Sequence, residues 1–201
     1  MSQKNARKER TDNKVVALNQ DHENIKAKIS DLETQIEAAI KAREDKLNLD
    51  LEYLHDNIMI VSDKYLTVDG YMDARNTFEA LIFGERLEDH ESVTQEICID
   101  VAREVSNIAT DLAATIHEVG IEKLDSSVLK GITSKNFLDS GFGRKDVCRE
   151  LLLSNLMRNV EPAIDSIVEF RTQTNEALET LNKALVEARE EAAQSVVTEA
   201  E

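Results

Sequence analysis

The stretch "IKAKISDLETQIEAAIKARE", Ile25–Glu44, decides the fold. Its large apolar residues are Ile25, Ile29, Leu32, Ile36 and Ile40, separated by steps of four, three, four and four. Such steps return to one side of an α-helix at every turn. The stretch therefore reads as a helix whose apolar stripe must lie against another surface.

The stripe extends in both directions. Upstream, Val15, Leu18 and His22 lead into Ile25 with the 3-4 alternation of a heptad. Downstream, the step from Ile36 to Ile40 is four where the alternation calls for three. Arg43 and Leu47 follow, then another four-step to Leu51, and Leu54, Ile58, Val61 and Tyr65 resume the heptad. The two added steps space Ile25, Ile36, Leu47 and Ile58 eleven residues apart. An eleven-residue repeat straightens a left-handed supercoil or slightly reverses it. The pattern predicts one helix over 15–66, about 75 Å long at 1.5 Å per residue. Residues 1–14 carry five basic and two acidic side chains and no such stripe, and read as a flexible basic tail.

"TVDGYMD" ends the first stripe, with Asp69-Gly70 as a turn signal. A helix is expected over Tyr71–Leu87, with Phe78, Leu81, Ile82 and Phe83 as its apolar side. Ser92 and Gln95 have capping-box spacing. The run Val93, Ile97, Val101, Val105, Ile108, Leu112 and Ile116 predicts a strong helix from there to Val119. Ala102, Ala109 and Ala113 lie along it and would let a neighbouring helix approach closely. Residues 120–145 hold four of the six glycines and predict a short helix near Lys123–Leu129, then a loop through "FLDSGFGRKD".

A second long stripe begins near Asp146. Leu151, Leu152, Leu156 and Val160 lead to Pro162, the single proline, which should kink or restart the helix. Ile164, Ile167, Arg171, Thr174, Leu178, Leu181, Leu185, Ala188 and Ala192 then keep the alternation, and 196–201 reads as a frayed acidic tail. The fold class is all-α: two coiled-coil-type helices, about 15–66 and 146–195, flanking a compact helical middle at 70–145.

Composition agrees. Aromatics are 4%, there is no tryptophan, and charged residues are 32%, which is the profile of long helices rather than a pocketed enzyme. The net charge of −16 repels nucleic acid and anionic membranes and favours a basic partner surface. No run approaches the ~20 apolar residues of a membrane span. The N-terminal residues lack the apolar core of a signal peptide, so the expected location is the cytoplasm or a virion-like particle. Cys98 and Cys148 are expected to be ordinary buried thiols in a reducing compartment.

Candidate chemistry is sparse. Glu52-x-x-His55 matches half of a di-metal bundle motif, but a second Glu-x-x-His is absent and His22, His90 and His117 lack the glutamate. A solvated helix flank is the better reading. "SGFGR" at Ser140–Arg144 lacks the Lys-Ser/Thr of a phosphate loop. Its glycines suit a tight turn, which Phe137 and Phe142 would anchor. No catalytic, cofactor or metal residue is assigned.

The expected function is a non-enzymatic structural or assembly protein acting through coiled-coil association. It would serve as a scaffold or accessory component of a larger assembly, viral or otherwise, with itself or other proteins as partners. The alternative is an acidic regulatory binder, chaperone or inhibitor of a basic protein. The proposed seam is Ile25, Ile29, Leu32, Ile36, Ile40, Leu47, Leu51, Leu54 and Ile58, together with Ile164, Ile167, Leu178, Leu181 and Leu185. Two geometries fit: an antiparallel fold-back within one chain, or pairing between chains. His22, Arg43, Arg171 and Thr174 in seam positions would cost stability and fix register.

Overall fold

A computed structural model describes the backbone of residues 2–82, 91–131 and 143–198, and the side chains of 16, 18–82, 95–131 and 143–195. The fold is all-α, with no strand among the described residues. Helix α1 spans Ser2–Tyr65, α2 Val68–Leu81 and α3 Glu91–Val119. A short helix α4 covers 127–131 of the described residues, and α5 spans Arg144–Thr198.

Several boundaries differ from the sequence reading. Helix α1 takes in residues 2–14, where a tail was expected. That segment lacks a stripe but contains no Gly or Pro, and its Lys, Arg, Gln, Glu and Ala are strong helix formers. Helix α5 runs through Pro162 without restarting. Pro162 and Arg158, whose carbonyl loses its i+4 donor, are both exposed, so the loss falls where solvent can compensate it. The helix expected near Lys123–Leu129 begins four residues later. There Asp125 Oδ1 accepts from the Ser127 N–H at 2.8 Å, an Asx turn that opens α4. The Ser92 side chain, His90, Phe83, Phe137 and Phe142 lie outside the described residues.

The chain divides into two compact units, 1–45 with 172–201, and 46–171. The second unit is therefore larger than the expected middle domain. It includes the last turns of α1 and the first half of α5, because their buried residues belong to the same core. One cluster joins Leu47, Leu54 and Ile58 of α1 to Ala109, Leu112, Ala113 and Ile116 of α3 and to Leu156, Val160, Ile164 and Ile167 of α5. A second joins Tyr65, Ala74 and Phe78 to Cys98, Val101, Ala102 and Val105 of α3 and to Cys148, Leu152 and Leu153 of α5. The three alanines expected at close contacts, Ala102, Ala109 and Ala113, are all buried.

Helix ends are fixed locally. Helix α3 stops at Gly120, whose φ of 72° is the left-handed cap conformation and whose N–H donates to Ile116 O at 3.2 Å. At the start of α5, Asp146 Oδ2 accepts from the Gly143 N–H at 3.3 Å. Gly70 does something else. It is buried inside α2, and a Cβ there would lie 2.3 Å from Tyr65 Cα and 2.5 Å from Lys64 O. The expected Asp69-Gly70 turn is displaced to Leu66-Thr67, and the glycine instead lets two helix backbones touch.

Polar links connect helices of this second unit. Ser62 is buried and shares hydrogen bonds with Ser106 Oγ at 3.0 Å and Thr110 Oγ1 at 2.9 Å. Glu104 on α3 meets Lys145 at 2.9 Å and Arg149 at 3.0 Å on α5. Burial pushes the Glu104 pKa up, but hydrogen bonds from Lys145 and Arg149 together outweigh it and hold the carboxyl below its usual range.

Burial also pushes the Cys148 thiol up to about 12 from an ordinary 9.0, with nearby Cys98 adding to the rise. Burial, then Asp73, pushes Tyr65 to about 12 from 10.0. Both acids hold their protons more tightly in the folded state than in the unfolded one. Their contributions are complete below the unfolded values; that of Cys148 is lost as pH rises from about 9 toward 12, and that of Tyr65 from about 10 toward 12. Stability is expected to fall by up to about 1.4 kcal/mol per pH unit from Cys148 above pH 9, with Tyr65 adding a similar slope above pH 10. Denaturant titrations followed by circular dichroism at successive pH values check this; a flat profile from pH 9 to 11 contradicts it.

Candidate functional site

The sequence-derived seam is distributed between the two units. In the first unit, α1 and α5 run antiparallel. His22 Nδ1 lies 3.4 Å from Ser195 Oγ, Lys28 Nζ 3.5 Å from Glu191, and Arg189 donates to Glu33 at 2.7 Å. Rising numbers on α1 thus meet falling numbers on α5. Ile36, Leu185 and Ala188 are buried there, while Ile25, Ile29, Leu32, Leu178 and Leu181 are half-buried. The three cross-helix polar contacts are exposed or half-exposed, and each contributes at most about 1 kcal/mol; the apolar seam sets the pairing and they fix its register. A shallow groove of about 550 Å³ lies beside it, lined by Leu18, Asp21, Ile25, Lys28, Glu191 and Ser195.

Ile40 is the exception in the seam. It is 41% exposed, and half-buried Ala39 takes the inward position. The spacing of eleven from Ile36 to Leu47 is preserved, but its intermediate steps are three, four, four through Ala39 and Arg43. A small residue holds the inward position while the larger side chain faces out.

In the second unit, Leu47, Leu54 and Ile58 are fully buried with Ile164 and Ile167 in one core cluster, and Leu51 packs against it. Of the polar seam residues, Arg171 is half-buried and its Nη1 donates to Ile121 O at 2.7 Å and Leu124 O at 3.1 Å. It thereby satisfies two carbonyls of the connection between α3 and α4. His22, Arg43 and Thr174 are also half-buried.

The sequence reading missed one surface. On α1, Leu49 is 62%, Tyr53 69% and Ile60 64% exposed. Steps of four and seven place them within about 40° of one another around the helix at 100° per residue, opposite the buried Leu47, Leu54 and Ile58. Their signal was present in the sequence, since Leu49 and Ile60 share the eleven-residue spacing, but the stronger stripe took precedence. Glu52, Asp56 and Asp63 border this face on one side; Lys46 and Lys64 border it on the other. Lys46 is bound by Asp50 and sits 5.6 Å from the Phe170 ring centre. Lys64 is bound by Asp73 and sits 5.6 Å from the Tyr65 ring centre.

Other candidates are weaker. Glu52 is exposed, and His55 Nδ1 lies 3.6 Å from Asp56. No group of three or more His, Cys, Asp or Glu side chains among the described residues is arranged to hold a metal ion. His117 is exposed in the last turn of α3, where a cation is favourable to the helix dipole. Cys98 and Cys148 are buried free thiols, and Cys148 Sγ donates to Ala74 O at 3.6 Å. A groove of about 480 Å³ between α2 and α5 is lined by Asn76, Thr77, Leu81, Leu151, Asn155 and Arg158. No helix of the described residues is long and apolar enough to cross a membrane. Compared with known proteins, the chain matches no family model, no curated protein and no solved structure.

Proposed function

We propose that this protein is a structural or assembly component that works through helix association rather than catalysis. The observation that carries this reading is the antiparallel pairing of α1 with α5, in register from His22–Ser195 to Glu33–Arg189. So long a pair uses its sequence for a seam and leaves most of its surface polar. Its working part is then a surface, and its expected partners are proteins: further copies, or components of a larger assembly.

The test is the mass of the endogenous protein, measured by light scattering after gentle extraction and gel filtration. The expected result is an assembly well above the chain's own 22.6 kDa. A 22.6 kDa monomer, both in extract and when purified at high concentration, overturns the reading.

A further inference from the structure

We infer that the Leu49–Tyr53–Ile60 face of α1 is a docking surface for an amphipathic helix whose apolar stripe is bordered by lysine or arginine. This rests on the assembly reading above and names the chemistry of one partner. The three side chains are among the most exposed large apolar residues described, and they share one face. Single exposed apolar side chains are ordinary, whereas an aligned set indicates a surface that becomes covered. A helix offers its own stripe at matching spacing.

Charge selects the type of helix. Glu52 and Asp63 make no ion pair among the described residues, and Asp56 has only the neighbouring His55. Both lysines on the opposite border are already engaged by Asp50 and Asp73. The face therefore presents unmatched negative charge beside its apolar centre, within a chain of net charge −16. A second copy laid antiparallel on the same face would set Glu52, Asp56 and Asp63 against their own equivalents. Basic residues flanking the incoming stripe remove that repulsion and gain charge-assisted contacts.

The test uses the full chain and a synthetic helical peptide with a leucine stripe, flanking lysines and one tryptophan. The protein has no tryptophan, so peptide fluorescence reports binding directly. Saturable binding that weakens with added salt is expected, together with at least about tenfold weaker binding to a glutamate-flanked peptide. Tyr53→Ser with Ile60→Ser should weaken binding by about tenfold or more. Glu52→Gln with Asp63→Asn should remove most of the salt dependence. All four positions are solvent-facing or border residues, so circular dichroism and thermal unfolding should stay unchanged. Equal binding of both peptides, or unaltered binding by Tyr53→Ser with Ile60→Ser, overturns the proposal. So does a homodimer that this double variant dissolves, because the face then belongs to a second copy. A heavy native assembly whose mass these variants leave intact, with no peptide binding, defeats this inference alone and leaves the assembly reading standing.

Discussion

Replacing Gly70 with alanine is expected to destabilise the protein by about 3 kcal/mol or more. Inside a helix, glycine is ordinarily worse than alanine by roughly 0.5–1 kcal/mol, so propensity alone predicts the opposite sign. Packing decides the outcome. The new methyl would sit 2.3 Å from Tyr65 Cα and 2.5 Å from Lys64 O. These are backbone atoms at the end of α1, which cannot rotate aside as a side chain would. The α1–α2 connection must open, and Tyr65, Ala74 and Phe78 share the core it closes. For a chain of this size, the loss corresponds to a Tm lower by roughly 6–12 °C. Denaturant unfolding of Gly70→Ala checks it; an unchanged or raised midpoint contradicts the close approach.

The second large effect is at Ile58. Its side chain is fully buried between α1, α3 and α5. Ile58→Ala removes three carbons from a packed site and should cost about 2–5 kcal/mol, depending on how far Leu112 and Ile164 relax into the space. Ile40→Ala is the paired measurement. Ile58 and Ile40 look alike in the sequence, as large aliphatic residues on the stripe of one helix. With Ile40 41% exposed, its truncation should cost within about 0.5 kcal/mol. Equal losses at the two positions would restore Ile40 to the seam and contradict the inward place of Ala39.

That pair of residues shows what was legible in the sequence. The all-α class and both long helices follow from apolar spacing, because burial of a stripe is a one-dimensional signal carried by strongly apolar residues. Ile36, Leu47, Leu54, Ile58, Ile164 and Ile167 are buried where the stripe places them. At the Ile36–Ile40 shift in register, spacing alone allows two inward positions, and side-chain size favours Ile40 where the structure turns Ala39 inward. The extent of the second unit was hidden for a different reason. Whether a turn of α1 packs on α3 or on α5 depends on contacts distant in sequence, which periodicity does not encode. Gly70 was read as a turn because the glycine's local signature is the same whether it bends a chain or admits a neighbour. The outward Leu49, Tyr53 and Ile60 became distinct only once the opposite side of α1 was occupied.

The pairing of α1 with α5 within one chain is tested most directly by zero-length cross-linking. Lys28 and Glu191 lie 3.5 Å apart, close enough for a carbodiimide to join them without a spacer. The protein is prepared as an equal mixture of normal and nitrogen-15-labelled chains, and the cross-linked peptides are read by mass spectrometry. The expected result is a Lys28–Glu191 cross-link in which both peptides carry the same label. Cross-links of mixed label in statistical proportion, or none between these segments, would contradict it.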